Sequence, residues 1–507
     1  MKKTRLVVLL SLTVILAVPL GAFAGVSPVL PGGGWWTGSR IQNVGLTTVD
    51  VDMTAYDSAS ASTYTSTKSA TAGGGVTFVP ADFAGMPSGF IGSGIVSAAE
   101  PIRAIVNVTN RLSGSYGIAG GRAAAQYQGA TVVDTTLNFP IVKNDYYTKT
   151  TTFYVQNAGG SAATATASFL FAGTTYTYTT PSIDPGAMVS FTAADSRDVG
   201  LNPPPSGTSG VGSLVVTSTA DLAGVVIEHK TTENPSTVAQ SIRAFTAADY
   251  DTTVYAPINK NSYYGRWTGL QVMNVSGGPI NVDVSYAARL NAGTGCPGGT
   301  FTDGTTGLAA NASFTFLGTV LPAGCDAAAT VTATGNIVAA VNESYTAAWL
   351  TANPTRTQES VTYAAIPDTS VTAKISIPLY KENAYGKGTG IAVMNVGGGT
   401  ATNVVFVFSG PTGTYTSMGQ TINSMASIAI SDARLKAPSF WNGTQMTPAA
   451  LGGCPADLTG CGNNGAFSVT ITSDQPIVAI ANESTYPFAA PLMMQDKNNY
   501  EGFNLVP

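Results

Sequence analysis

The stretch LQVMNVSGGPINVDVSY, Leu270 to Tyr286, decides the fold. Leu270 and Val272, then Val282, Val284 and Tyr286, alternate with polar neighbours, and a period of two is the mark of a strand with one buried face. Ser-Gly-Gly-Pro between the two runs is turn chemistry, with glycine supplying positive φ and proline a fixed one. The segment therefore predicts two half-buried strands joined by a tight hairpin turn. The same cadence returns in RIQNVGLTTVDVDM, YVQNAGGSAATATASFLF and VMNVGGGTATNVVFVF, where Val49, Val51 and Met53, or Val405 and Val407, repeat the alternation. Asn43, Asn157, Asn274 and Asn395 fall at intervals of 114, 117 and 121 residues, the length of an ordinary domain.

Each copy also has an ending. PIRAIVNVTN, DLAGVVIEHK, NIVAAVNESY and QPIVAIANES are rich in β-branched residues, and the segments before them (GSGIVSAA, GSLVVTST, ATVTATG, FSVTITSD) read as the preceding strand of a hairpin. Gly/Pro/Ser-rich stretches such as LNPPPSGTSG separate the halves as loops, and the longest, Leu435 to Gly465, enlarges the last copy. Only the N-terminus carries a sustained run of another kind. The expected fold is all-β: a tandem array, a rod, of four Ig-like antiparallel β-sandwich domains covering 25–130, 131–246, 247–366 and 367–507, after a signal peptide at 1–24.

That signal peptide is MKKTRLVVLLSLTVILAVPLGAFA, with a basic start, an apolar run and a small-residue end. Removing its three basic residues takes the net charge from −5 to −8, a sign that opposes nucleic acid as a partner. No later run reaches the roughly 18 apolar residues of a spanning helix, so no membrane span is expected. Only 10% of residues are charged, against roughly a quarter in average chains. In a secreted chain the four cysteines read as two local disulfides, Cys296 with Cys325 and Cys454 with Cys461. Zinc would want closer spacing or more than one histidine, so neither metal nor cofactor is expected.

In so uncharged a chain, repeated charges carry information. Lys143, Lys260 and Lys381 each stand three residues after a proline and 14 before the asparagine of their repeat. Glu228, Glu343 and Glu483 hold equivalent places in the last strand. Copy one lacks both, with Val29 and Val108 at the two positions. Joint loss is what a buried ion pair demands, because one unpartnered charge in a core costs several kcal/mol whereas an apolar pair is tolerated. Lys143 is therefore expected to meet Glu228, Lys260 to meet Glu343, and Lys381 to meet Glu483. The asparagine survives in copy one and reads as a structural turn residue fixing hairpin register. The sharper alternative is a lysine–asparagine isopeptide crosslink using Asn157, Asn274 and Asn395, or Asn342 and Asn482, with the glutamate promoting attack by a neutral amine.

Aromatic residues cluster where repeats begin: Trp35 and Trp36, Tyr146 and Tyr147, Tyr263, Tyr264 and Trp267, and Tyr385. Exposed, they would stack on sugar rings; buried, they would pack between strands. Catalysis finds little support. A serine triad would have to use His229, the one histidine, and the glycine runs lack the lysine of a phosphate loop.

The N-x-G-G-x-x-A-x-x-V cadence of copies two and four resembles the Ig-like domains of bacterial surface proteins, especially the cell-adhesion-related family called CARDB. That resemblance implies an extracellular, non-catalytic spacer or adhesive module. Taken together, the sequence points to a secreted structural or adhesive surface protein, not an enzyme, with self-association or a cell-surface polymer as partner and filament or surface-layer assembly in view. A glycan bound by the Tyr/Trp clusters is the alternative.

Overall fold

The computed structural model describes residues 6–10, 30, 34–110, 123–231, 238–353, 360–384, 387–410, 413–430, 437–444, 465–485 and 497–505. The fold is all-β, built of antiparallel sheets. Among the described residues no helix is long and apolar enough to cross a membrane; a single short α-helix, Ala347–Ala352, starts at a Thr346 cap.

Each sequence repeat lays down the same course of strands. The second serves as template: an opening strand Asp134–Lys143, then Lys149–Asn157 ending on the asparagine, Ala165–Phe171, Thr174–Thr179, Met188–Thr192, a long strand Val211–Lys230 and a closing strand Ala239–Arg243. The first half of the long strand lies between the opening strand and Ala165–Phe171. Its second half lies between Lys149–Asn157 and the closing strand. One strand thus belongs to two four-stranded sheets. Repeats three and four do the same through Cys325–Tyr345 and Ala466–Thr485. In repeat one the equivalent is broken into Gly92–Ala98 and Ile102–Asn110.

Two expectations are corrected by these pairings. The strands flanking each asparagine turn do not pair with each other: Arg266–Asn274 pairs with Ser313–Phe316 and the second half of the long strand, Ile280–Asn291 with Cys296–Leu308 and the first half. The turn is an arch from sheet to sheet, not a hairpin. The supposed hairpin at the repeat's end is a single long strand in repeats two to four and two strands that do not pair with each other in repeat one. Alternation and turn residues are common to both geometries, so the local signal is the same.

Inside a repeat the two sheets meet through their alternating apolar residues. In repeat two, Phe153 of one sheet stands 5.1 Å from Phe139 and 5.6 Å from Phe169 of the other, ring centre to ring centre, with all three fully buried. Each such ring contributes about 2–3 kcal/mol by burial.

The outer face of the second sheet is apolar as well, and it binds the repeats to one another. Tyr154, Met188, Val225 and Ile227 of repeat two join the core of repeat one. Met273, Val338 and Ala340 of repeat three join that of repeat two, and Ala392, Met394, Val478 and Ile480 of repeat four join that of repeat three. Ile105 of repeat one joins the core of repeat four. The series closes on itself. The four closing strands, Ala124–Gln128, Ala239–Arg243, Ser360–Ala364 and Lys497–Glu501, pack each against the next and the last against the first. Across the final seam Gln128 Nε2 donates to Glu501 O at 2.6 Å, Arg40 Nε to Pro378 O at 3.5 Å, and Ser376 Oγ to Gln42 Oε1. The repeats form a ring, not the rod expected from tandem sequence.

A described segment near each end of the chain lies on a sheet edge. Leu6–Leu10, which falls inside the expected signal peptide, pairs with Gly94–Ala98, the place that the opening strand fills in the other repeats. At the other end Phe503–Asn504 pairs with Ile375–Ser376 of its own repeat.

Candidate functional site

The recurring charges meet beneath the opening strand of repeats two, three and four. In repeat three, the strand register places Thr268 opposite Glu343, and Thr268 Oγ1 accepts the backbone N–H of Lys260 at 2.9 Å, tying the opening strand down beside them. Lys260 Nζ then reaches Glu343 Oε2 at 2.7 Å, while Arg266 Nη1 takes Oε1 at 3.0 Å. Repeat two repeats the plan: Thr151 accepts from Lys143 N at 3.0 Å, Lys143 Nζ pairs with Glu228, and Lys149 Nζ lies 3.0 Å from its other oxygen. In repeat four Lys381 pairs with Glu483 at 2.8 Å, and its N–H goes to Thr389 at 2.9 Å. All three glutamates are buried.

Burial alone would push the Glu228 carboxyl up, but the charges of Lys143 and Lys149 and the hydrogen bonds from both outweigh it and hold it at about 2. The same burial, with Lys149 adding repulsion, draws Lys143 down to about 8 although Glu228 opposes the change. Two ammonium groups share one carboxylate there, so the carboxylate is the better satisfied partner.

The second cation and the threonine are absent from the sequence reading. Both could be found by counting back from the asparagine: Lys149, Arg266 and Lys387 stand eight residues before it, and Thr151, Thr268 and Thr389 six. Repeat one carries Trp35 and Thr37 at those places, with Val108 opposite Thr37. Trp35 and Val108 are buried. Thr37 Oγ1, also buried, has no hydrogen-bond partner among the described residues. Val29 lies outside them.

The asparagines are spent on the arch. Asn274 Nδ2 donates to Gly278 O and Leu308 O, both at 2.8 Å, and its Oδ1 accepts Ser276 N at 2.7 Å. Asn43, Asn157 and Asn395 make the same three bonds. Six residues of strand separate Asn274 from Thr268 at the ion pair, roughly 20 Å at the rise of an extended chain. An isopeptide bond between Lys260 and Asn274 is therefore out of reach. Asn342 adjoins Glu343 but, by strand alternation, faces the opposite way, where its Oδ1 accepts from Thr362.

The aromatic clusters divide. Trp35 is core, and Trp36 and Trp267 are half-buried. Tyr146–Tyr147 and Tyr263–Tyr264 sit on matching tight turns with positive φ at Tyr147 and Thr148 and at Tyr264 and Gly265. In each pair the rings meet edge to face at 4.7 Å, one member half-buried and the other exposed, Tyr147 by 67% and Tyr264 by 63%. Tyr385 lies outside the described residues. A stack missed from sequence stands beside the second turn: Trp349 lies parallel to Tyr345 at 4.2 Å, and the Arg266 guanidinium lies 4.2 Å over Tyr345's ring.

Cys296 and Cys325 form a disulfide joining two strands of repeat three; Cys454 and Cys461 lie outside the described residues. His229 is a buried strand residue 3.0 Å from Thr152 Oγ1, and burial lowers its pKa. No group of three or more potential metal ligands occurs among the described residues. Where the closing strands meet, equivalent positions carry Gln128, Arg243, Ala364 and Glu501. Arg243 grips Asp249 with two bonds of 2.8 and 2.6 Å, and the Glu501 carboxylate accepts the N–H of Ala364. Burial pushes Glu501 up.

No family model matches the chain, and no curated protein matches it. Among solved structures, that of a glycoside hydrolase family 32 protein from Bifidobacterium adolescentis is 8% identical, covering 89% of this chain and 98% of that one, with a TM-score of 0.16. At that score the likeness bears on neither fold nor activity.

Proposed function

We propose that this chain is a secreted, non-catalytic structural or adhesive surface protein, built of four β-sandwich units of Ig-like type. The observation that supports this reading is where the repeated chemistry goes. The asparagines of all four repeats, and the lysines, glutamates and threonines of repeats two to four, tie strand to strand in a charge-poor chain, and the repeats then lock into one ring. Selection that repeats such groups for holding a scaffold is the mark of a protein whose product is its shape and surface. Cell fractionation with immunogold imaging of native cells tests it: label on the outer surface, or in released filaments or sheets, is the expected result. Label confined to the cytoplasm would overturn it.

A second reading, extracellular glycan binding, draws on the two exposed rings, Tyr147 and Tyr264, held by rigid turns. Rigid exposed aromatics suit stacking on sugar C–H faces. Loss of glycan-array binding in Tyr147→Ala and Tyr264→Ala would favour it, and unchanged array signals would remove it.

A further inference from the structure

The outer faces of the first sheets are equivalent in repeats one to three, so their differences are informative. In repeat one the exposed pair Asp52 and Thr67 face each other across a hairpin, and Thr67 Oγ1 donates to Asp52 Oδ1 at 2.7 Å. In repeat three the same two places hold Asp283 and Gly304. With no side chain at Gly304, the Asp283 carboxylate has no hydrogen-bond partner among the described residues. A Cβ there would stand 2.9 Å from Asp283 Oδ1. A second substitution widens the gap. Tyr56 in repeat one and Leu170 in repeat two pair with Ser93 and Ser213 at the seam with the next repeat; repeat three has Ala287 paired with Ala328. The Tyr56 ring covers Gly186 of the neighbouring repeat so closely that a Cβ on that glycine would meet it at 2.4 Å. At the seam between repeats three and four that cover is missing.

What remains is an open depression of about 570 Å³ lined by Asp283, Ser285, Thr302, Asp303, Thr330 and Thr332. Its edge is formed by Met425 of repeat four, whose sulfur lies 4.0 Å from Thr330 Oγ1. The volume is in the range of small-molecule sites. The lining has no lysine or arginine to hold an anion; of its two carboxylates, Asp303 Oδ1 accepts the Gly304 N–H, and with no third acidic ligand beside them among the described residues the two are a poor cage for a cation. It does offer one unshared carboxylate, able to accept two O–H bonds, among four hydroxyls that both donate and accept. Met425 adds a polarizable apolar wall.

We propose that this depression binds a neutral saccharide, with Asp283 accepting a vicinal pair of sugar hydroxyls, Ser285, Thr302 and Thr330 completing the polar contacts, and Met425 against the C–H face. The lining belongs to repeat three, and Met425 of the next repeat stands at its edge. It is separate from the tyrosine turns and stands whether or not those bind glycans.

The test uses the full chain and saturation-transfer NMR with methyl glycosides of glucose, galactose and mannose. The expected result is transfer to at least one probe. Asp283→Asn and Thr302→Val, both exposed and compatible with the strand, should each weaken the apparent Kd at least tenfold. Gly304→Thr, which restores the threonine of repeat one, should abolish transfer, whereas Tyr264→Ala should leave it intact. Circular dichroism establishes that each variant is folded. Absence of transfer from all three probes, or transfer indifferent to Asp283→Asn and Thr302→Val, would overturn the proposal. Loss through Tyr264→Ala alone would assign the sugar to the tyrosine turn instead.

Discussion

Replacing Glu343 by valine, the residue that repeat one carries at this place, tests the reasoning about the buried charges. In the native chain the Glu343 carboxylate holds Lys260 at 2.7 Å and Arg266 at 3.0 Å, and Lys260 is only 8% exposed. Glu343→Val leaves the Lys260 ammonium under the opening strand without its carboxylate, and breaking one side of a buried pair costs about 3–5 kcal/mol. Lys260→Met with Glu343→Val removes the pair together, while Arg266 keeps its 2.6 Å bond to Tyr345 and its seat on that ring. Replacing a buried pair by apolar groups is near neutral, so the double variant should recover most of the loss. A chain of several interlocked repeats is a poor two-state folder, so the measurement should be local. Amide hydrogen exchange along Cys325–Tyr345 reads the free energy of opening that strand. A change of about 4 kcal/mol speeds exchange roughly a thousandfold in the single variant, with the double within about tenfold of wild type. If the double variant exchanged as fast as the single, or the single no faster than wild type, the charges would not be acting as a pair.

The other expectations are smaller. Asn274→Ala removes three hydrogen bonds from the arch and should cost about 2–4 kcal/mol, seen as a matching rise in local exchange around Leu308. Thr268→Val and Thr37→Val make the same change with opposite sign. The first strands the Lys260 N–H and should cost about 1–2 kcal/mol, whereas the second removes a buried hydroxyl without a partner and should be neutral or stabilising in thermal melts. Glu228, held at about 2 in the fold against an ordinary 4.5, binds fewer protons folded than unfolded between those values. Its contribution, about 3 kcal/mol, is therefore present above pH ~4.5 and lost as pH falls toward 2. Glu228→Gln should flatten that acid limb of the stability profile, and an unchanged limb would show that Glu228 does not produce it.

These tests follow the division between what the sequence discloses and what it hides. Val282, Val284 and Tyr286 alternate because one sheet face is buried, so strands are readable. Lysine and glutamate are conspicuous in a chain with few charges, and their joint replacement by valine in repeat one suggests which belong together. Arg266 is harder to see because its place is Lys in two repeats and Trp in the first. The arch is hidden for a different reason. Asn274 and its glycines specify a reversal, but whether the next strand pairs beside the last or crosses to the facing sheet depends on the long strand 50 residues onward. Ring closure leaves only a faint trace: in Trp35–Asn43 of the first repeat every residue from Thr37 on is buried, Ile41 filling its own core while Arg40 and Gln42 meet repeat four. An edge exposed in a rod would have kept its alternation.

Small-angle X-ray scattering of the purified chain tests the closed ring most directly. One compact body of this length has a radius of gyration of about 23 Å. Four units end to end, each as long as a nine- or ten-residue strand, would form a rod of roughly 120 Å with a radius near 35 Å. A value close to the first, with a single-peaked distance distribution, is the expected result; a value close to the second would contradict the closure of repeat four onto repeat one.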